Sequence, residues 1–173
     1  MAITIVREGY GFVEPNFLSA PRNGQVRADL PVGKAAAETI SNSVDKALMN
    51  GMFVKRDTVK GEVNFTGKGA WWLVFNEEKL YDENKQMHRH FAMKAEDNYD
   101  GKMVPRIFFP AIGDTFTTNT FAANTVLEVG DYVVPGVNGI LAKTESESFL
   151  QVVKCYTMPD GQPGVKLEVV ANQ

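Results

Sequence analysis

The sequence contains a single cysteine, Cys155, among 173 residues. One thiol cannot form an intrachain disulfide, and it cannot supply a four-cysteine zinc site. Cys155 lies in the apolar stretch FLQVVKCY, where a cysteine typically behaves as a small buried hydrophobe. Histidine is also scarce, since His88 and His90 are the only two. Any Cys–His nucleophile would therefore depend on one short segment.

Clusters of basic residues are missing as well. Lys55, Arg56 and Lys60 come closest to forming one, and Asp57 lies among them. The formal net charge is −3. Affinity for nucleic acid comes largely from Lys and Arg that neutralise phosphates, so we predict no nucleic-acid partner.

Long hydrophobic runs are absent too. No stretch approaches the roughly 20 apolar residues of a membrane span. The start, MAITIVREGYG, has too short an apolar run for a signal peptide, and no small-residue cleavage site follows it. We therefore expect no membrane partner, and a protein kept in the cytoplasm or in a particle assembled there.

What the N-terminal region does contain is a stretch rich in aromatic, proline and glycine residues, GYGFVEPNFLSAPRNGQVRADLPV, which covers residues 9–32. Proline lacks a backbone donor and disfavours helix at the residue before it. Apart from a short β-branched run at residues 3–6, we predict an extended, irregular arm over residues 1–31, whose removal leaves the remaining domain folded. The side chains expected to contact a partner are Tyr10, Phe12, Val13, Phe17, Leu18 and Arg22.

The segment 32–51 is predicted to hold one amphipathic helix, over residues 33–50. Ala36, Ile40, Val44 and Leu48 recur every four residues and would form one apolar stripe. The Asn-Gly pair at 50–51 is typical of a helix end.

Residues 52–173 are predicted to form an antiparallel β domain. Short alternating or apolar runs are separated by turn sequences such as TGKG, PGVNG and MPDGQPG. No helical pattern lies between them, so we predict a mainly β fold, an antiparallel barrel or sandwich. AIGDTF and EVGDYV share a Gly-Asp pair and are interpreted as two similar strand entries. The predicted strands cover residues 62–66, 70–75, 87–93, 104–109, 115–121, 125–129, 131–135, 139–143, 148–156 and 165–170.

Two features could carry chemistry. His88 and His90 would share one face of a strand, but Asp82, Glu83 or Glu96 would have to supply a third metal ligand. We favour two exposed imidazoles and predict no metal site and no cofactor. The second feature is the adjacent pair Trp71–Trp72, which a strand would point to opposite faces, so both rings need cover.

The stretch MVPRIFFPAIGDTFTTNTF, residues 103–121, resembles small structural proteins of tailed bacteriophages, the capsid decoration (cement) and minor head proteins. In the following segment, LEVGDYVVPGVNGILAK, the VGDYV strand at residues 129–133 adds weaker support. The resemblance implies a non-enzymatic virion protein, assembled in the host cytoplasm, whose β domain binds the major capsid protein on the phage head while its N-terminal arm reaches across the shell. It also implies a homo-oligomer, with a trimer matching lattice symmetry.

Three other functions remain open from the sequence. One is a different virion position, such as head completion, tail tube or fibre base. Another is a soluble β-barrel that stacks a sugar or nucleotide on Trp71 or Trp72. The last is a metal-dependent enzyme at His88 and His90.

Overall fold

The computed structural model describes residues 2–18, 25–76, 92–94, 103–159 and 161–173, apart from the side chains of Phe17 and Lys94. Over these residues the protein is mainly β, with antiparallel sheets arranged as a sandwich, which confirms the predicted fold class. The strands are β1 Ile3–Thr4, β2 Val13–Phe17, β3 Val26–Arg27, β4 Ala47–Leu48, β5 Phe53–Asp57, β6 Glu62–Asn64, β7 Trp71–Val74, β8 Met93–Lys94, β9 Ile107–Phe108, β10 Thr115–Thr118, β11 Val126–Leu127, β12 Tyr132–Pro135, β13 Leu141–Thr144, β14 Leu150–Thr157 and β15 Pro163–Val169, and the helix α1 is Lys34–Ser41.

A six-stranded sheet has the order β13-β12-β14-β15-β10-β2. The β14–β15 hairpin lies at its centre, with β12 beside β14 and β10 beside β15, so the two halves have the same plan. The two Gly-Asp pairs open the two flanking strands. Asp114 Oδ2 accepts from Ala111 N at 2.9 Å, and Asp131 Oδ2 accepts from Glu128 N at 2.8 Å. Each preceding glycine has positive φ and donates to the central hairpin, which explains the shared sequence.

A five-stranded sheet, β3-β9-β7-β5-β6, packs against the first and is covered on both faces. Phe53 and Leu73 belong to the core between the sheets, whereas Val54 and Val74 belong to a second core on the other side. A strand buried on both faces needs a continuous apolar run, and this accounts for the sequence AWWLVF.

The second core lies between the five-stranded sheet and the helix layer. Helix α1 contributes Ala36 and Ile40, and strand β4 contributes Ala47 and Leu48. Strand β4 pairs with β8, and β1 pairs with β11, as two separate antiparallel ribbons.

The predicted helix over residues 33–50 is wrong in length, because α1 ends at Ser41. The Ser43 hydroxyl donates to Ile40 O at 2.7 Å and competes for a carbonyl that a longer helix would need. Lys46 then adopts φ of 48°. Val44, placed on the apolar stripe by its spacing, is 99% exposed, and Leu48 is fully buried, but in a strand.

The prediction of an irregular arm over residues 1–31 is also corrected, since this region contributes β2 and β3 in addition to β1, which lies within the β-branched run at residues 3–6. Strand β2 pairs antiparallel with β10, matching Val13 with Thr118 and Pro15 with Phe116. Pro15 is tolerated because β2 is the edge strand of its sheet.

Candidate functional site

The N-terminal segment is attached to the domain by a run of buried polar side chains, residues 117–120, which we call the TTNT cluster. All four are 0% exposed. Two of them hydrogen-bond to the backbone of Phe12. Phe12 N donates to Asn119 Oδ1 at 2.9 Å, and Thr118 Oγ1 donates to Phe12 O at 2.7 Å. Both backbone groups of one residue are thus satisfied by side chains, as a neighbouring strand would do.

The side chain of Asn119 also hydrogen-bonds to a second side-chain amide, that of Gln162. Asn119 Nδ2 donates to Gln162 Oε1 at 3.1 Å, and the same oxygen accepts from Glu8 N at 2.9 Å. Gln162, which is 3% exposed, precedes β15. These two hydrogen bonds connect the segment before β2 to the central hairpin.

Thr117 anchors the other end of β2. Its hydroxyl donates to Asn16 Oδ1 at 2.7 Å and lies 2.7 Å from the Tyr156 hydroxyl. Tyr156 also bonds to Glu14 Oε2 at 3.2 Å. Burial, assisted by the Glu14 carboxylate, raises the pKa of Tyr156 against the opposing effect of its bond with Thr117. The phenol therefore stays protonated at neutral pH and acts here as a hydrogen-bonding group, not as a base.

Thr120 ties the cluster to the five-stranded sheet. Its hydroxyl donates to Asn50 O at 2.7 Å. The Asn50 amide in turn accepts from Asn76 N at 2.8 Å and donates to Asn76 O at 3.3 Å, next to β7. The TTNT cluster consequently links the N-terminal segment, the six-stranded sheet and the five-stranded sheet.

Glycine is required where these chains meet. A Cβ at Gly11 would lie 2.7 Å from Asn50 O and closer still to Thr120 Oγ1. At Gly51, where φ is +87°, a Cβ would lie 2.5 Å from the hydroxyls of Thr118 and Thr120. No side chain fits at either position without displacing the cluster.

Arg7 adds an ionic attachment. Its guanidinium lies 2.8 Å from Asp45 Oδ2, donates to Met49 Sδ at 3.2 Å and also donates to Gly9 O. Asp45 lies in the loop between α1 and β4, so this contact fixes the segment to the helix layer as well.

The residues predicted to bind a partner differ in how deeply they are buried. Val13 is 2% exposed in the main core, so the expectation that it contacts a partner is corrected. Tyr10, Phe12 and Leu18 are half-buried, with Leu18 against the main core and Tyr10 against the second. The side chain of Phe17 and all of Arg22 lie outside what is described.

Trp71 and Trp72 do point to opposite faces, as predicted. Trp71 packs against the main core, with Lys55 Nζ 4.6 Å from its ring centroid. Trp72 packs against the second core, and its ring centroid lies 5.1 Å from that of Phe109. Both rings are half-buried and have contacts within the domain, as the prediction that both need cover requires.

His88, His90 and the carboxylates considered beside them lie outside the described residues. Within the described ranges, no three His, Cys, Asp or Glu side chains come together as a metal-binding group. Burial raises the pKa of the Cys155 thiol, which favours its protonated, unreactive form. In the same part of the chain, no helix has both the length and the apolar character needed to cross a membrane.

Sequence reasoning missed the TTNT cluster as a site. The available signal was four consecutive polar residues within a predicted strand, because burying both faces of such a run requires partners from elsewhere.

Comparison with family models, with curated proteins and with solved structures found no match for this chain.

Proposed function

We propose that this protein is a structural component of a virus particle, a decoration protein that binds the major capsid protein on the outside of a tailed-phage head. The resemblance of residues 103–121 to phage structural proteins motivates the proposal. In the fold, this stretch supplies β9 and β10, one strand of each main sheet, and the whole TTNT cluster.

The observation that carries the proposal is that the buried polar side chains hydrogen-bond within the chain and hold its parts together. Asn119, Thr120 and Asn50 hydrogen-bond to other parts of the same chain, and together they hold two sheets and the N-terminal segment as one unit. A network of satisfied polar groups makes a rigid framework. Rigidity suits a subunit that staples a shell, where many weak copies act together through multivalency.

The N-terminal segment has a different role in this proposal from the one expected of a free arm. It joins the layers of its own domain, with Val13 in the core. Contact with the shell is left to side chains that retain exposed surface, including Tyr10, Phe12 and Leu18. Self-association as a trimer, matching the local symmetry of the shell, belongs to the same proposal.

Quantitative mass spectrometry of purified virus particles tests the proposal by counting this chain against the major capsid protein. We expect on the order of one copy per several capsid subunits, as lattice-wide stapling requires. A few copies per particle would instead indicate a head-completion, tail or fibre-base position. Absence from the particles would overturn the virion proposal altogether.

A further inference from the structure

Strand β7 loses its partner on one side at Trp71. The pairing of β7 with β9 matches Leu73 with Phe108 and Val74 with Ile107. Extended by two residues, this register places Pro110 opposite Trp71. Proline has no backbone N–H, so Pro110 cannot donate to the Trp71 carbonyl, and the ladder ends there.

The side chain of Gln173 takes the place of the missing strand. Trp71 N donates to Gln173 Oε1, and Gln173 Nε2 donates to Trp71 O at 3.0 Å. A carboxamide presents the same C=O and N–H as a peptide group, and this two-bond pattern is the one that paired residues of antiparallel strands exchange. Gln173 therefore stands in for one residue of an additional strand.

A cavity of about 300 Å³ opens beside this position. Phe109, Pro110, Ala111 and Ile112 give it apolar walls, and the amides of Gln25 and Asn172 are at its border. None of the described side chains that line it is charged. Ile112 is 57% exposed, so the apolar surface continues outward from the cavity.

We propose that this site binds an extended, uncharged peptide segment of a partner protein. The segment's backbone replaces the Gln173 carboxamide on Trp71 and lengthens the sheet, and one apolar side chain enters the cavity. The hydrogen-bond pattern selects a peptide group, and the neutral lining selects an apolar residue over a charged one, because an unpaired charge would be desolvated there.

Exchange of the occupant is energetically feasible. Gln173 is exposed, so its two hydrogen bonds compete with water and contribute little net stability. An incoming backbone restores the same two bonds and also buries apolar surface of Phe109 and Ile112. The inference does not depend on the virion proposal, since it concerns the chemistry of the site alone.

The experiment is an NMR titration of the full chain with blocked pentapeptides, Gly-Gly-Xaa-Gly-Gly, in which Xaa is Leu, Ser, Lys or Glu. We expect saturable shifts of the Trp71, Phe109 and Ile112 amides with the Leu peptide only. Gln173→Ala should tighten binding a few-fold because the competing amide is gone. Ile112→Glu should weaken it about tenfold by placing a charge at the mouth of the cavity.

Val137→Glu is the matched control, since Val137 is 86% exposed in the β12–β13 turn and should leave binding unchanged. The proposal is overturned if no peptide saturates these amides in either the native protein or the Gln173→Ala variant, or if the Lys and Glu peptides bind as well as Leu. Saturation by methyl glucoside in place of any peptide would overturn it in favour of a saccharide site. Particle association that survives Ile112→Glu would leave the virion proposal standing while excluding this cavity as the shell contact.

Discussion

The two halves of the six-stranded sheet share a backbone plan and differ in what they bury. On one side β12 and β13 bury Val133 and Leu141, both 0% exposed. On the other side β10 and β2 bury Phe116 and Val13, and the TTNT cluster, which spans the end of β10 and the two residues after it, is buried as well. The apolar half depends on close packing, whereas the polar half also depends on each buried group having a hydrogen-bond partner, so substitutions in the two halves should destabilise the protein for different reasons.

Deleting residues 2–18 should cause the largest loss of stability, because it removes Ile5 and Val13 from the core and takes away Phe12 and Asn16, the partners that the TTNT cluster has in the N-terminal segment. Each buried polar group left unsatisfied costs about 1–3 kcal/mol. Their sum approaches the roughly 5–15 kcal/mol that stabilises an ordinary domain. We expect no cooperative thermal transition by circular dichroism.

A synthetic peptide of residues 2–18 added to the truncated chain should restore that transition, which controls for damage unrelated to the segment. A truncated chain that melts cooperatively on its own, near the native midpoint, would show that the segment is dispensable and would restore the idea of a free arm.

Gly11→Ala should come next, at about 3 kcal/mol of lost stability, since overpacking a filled site forces neighbours to shift. Here the neighbours are Asn50 O and Thr120. Gly136→Ala, in the β12–β13 turn, is the matched change in the apolar half. Its Cβ would lie 3.2 Å from Ile140 O, so we expect a loss of under about 1 kcal/mol. Urea unfolding measures both, and equal losses would contradict the contrast.

Exchanging one side chain for its isostere in each half should lower the free energy of unfolding by a smaller amount. Thr118→Val removes the donor to Phe12 O and the acceptor for Thr120 N, and should cost about 2 kcal/mol. Val133→Thr introduces a hydroxyl without a partner into the apolar half, at a similar cost of about 2 kcal/mol. A neutral result for Thr118→Val in urea unfolding would mean that the cluster is not needed for stability.

Loss of the ion pair between Asp131 and Lys143 should lower the stability of the protein least. Burial opposes ionisation of Asp131, but Lys143 at 2.7 Å and the Glu128 N–H outweigh it, so the pKa of Asp131 lies below its ordinary value of 3.8. The ionised form is therefore favoured by folding. Its contribution is present above pH 3.8 and disappears as the pH falls through the lowered pKa.

Asp131→Asn should consequently be less stable than the native protein at pH 6, and the difference should shrink toward pH 3 and at high salt. Urea unfolding at both pH values checks this. A difference that stays constant with pH would assign the effect to the turn geometry and not to the charge.

Much of the fold was predictable because it depends on local patterns. Alternation and turn residues located most of the strands, and the Gly-Asp pairs indicated two equivalent strand entries. Adjacent tryptophans on a strand must face opposite ways, so Trp71 and Trp72 were assigned correctly. The helix was predicted too long because four-residue spacing does not reveal that the Ser43 hydroxyl competes with the helix for Ile40 O.

The sequence by itself therefore determined the class of fold, the turns and the layers that need apolar residues, since these follow from the period of each element. Only the tertiary structure decided that residues 13–17 pair with residues 115–118, about a hundred positions away. The same holds for Gln173, whose amide satisfies Trp71 across most of the chain. The physical reason is that a buried polar group can be satisfied by any suitable partner, and only the folded chain shows which one lies within reach.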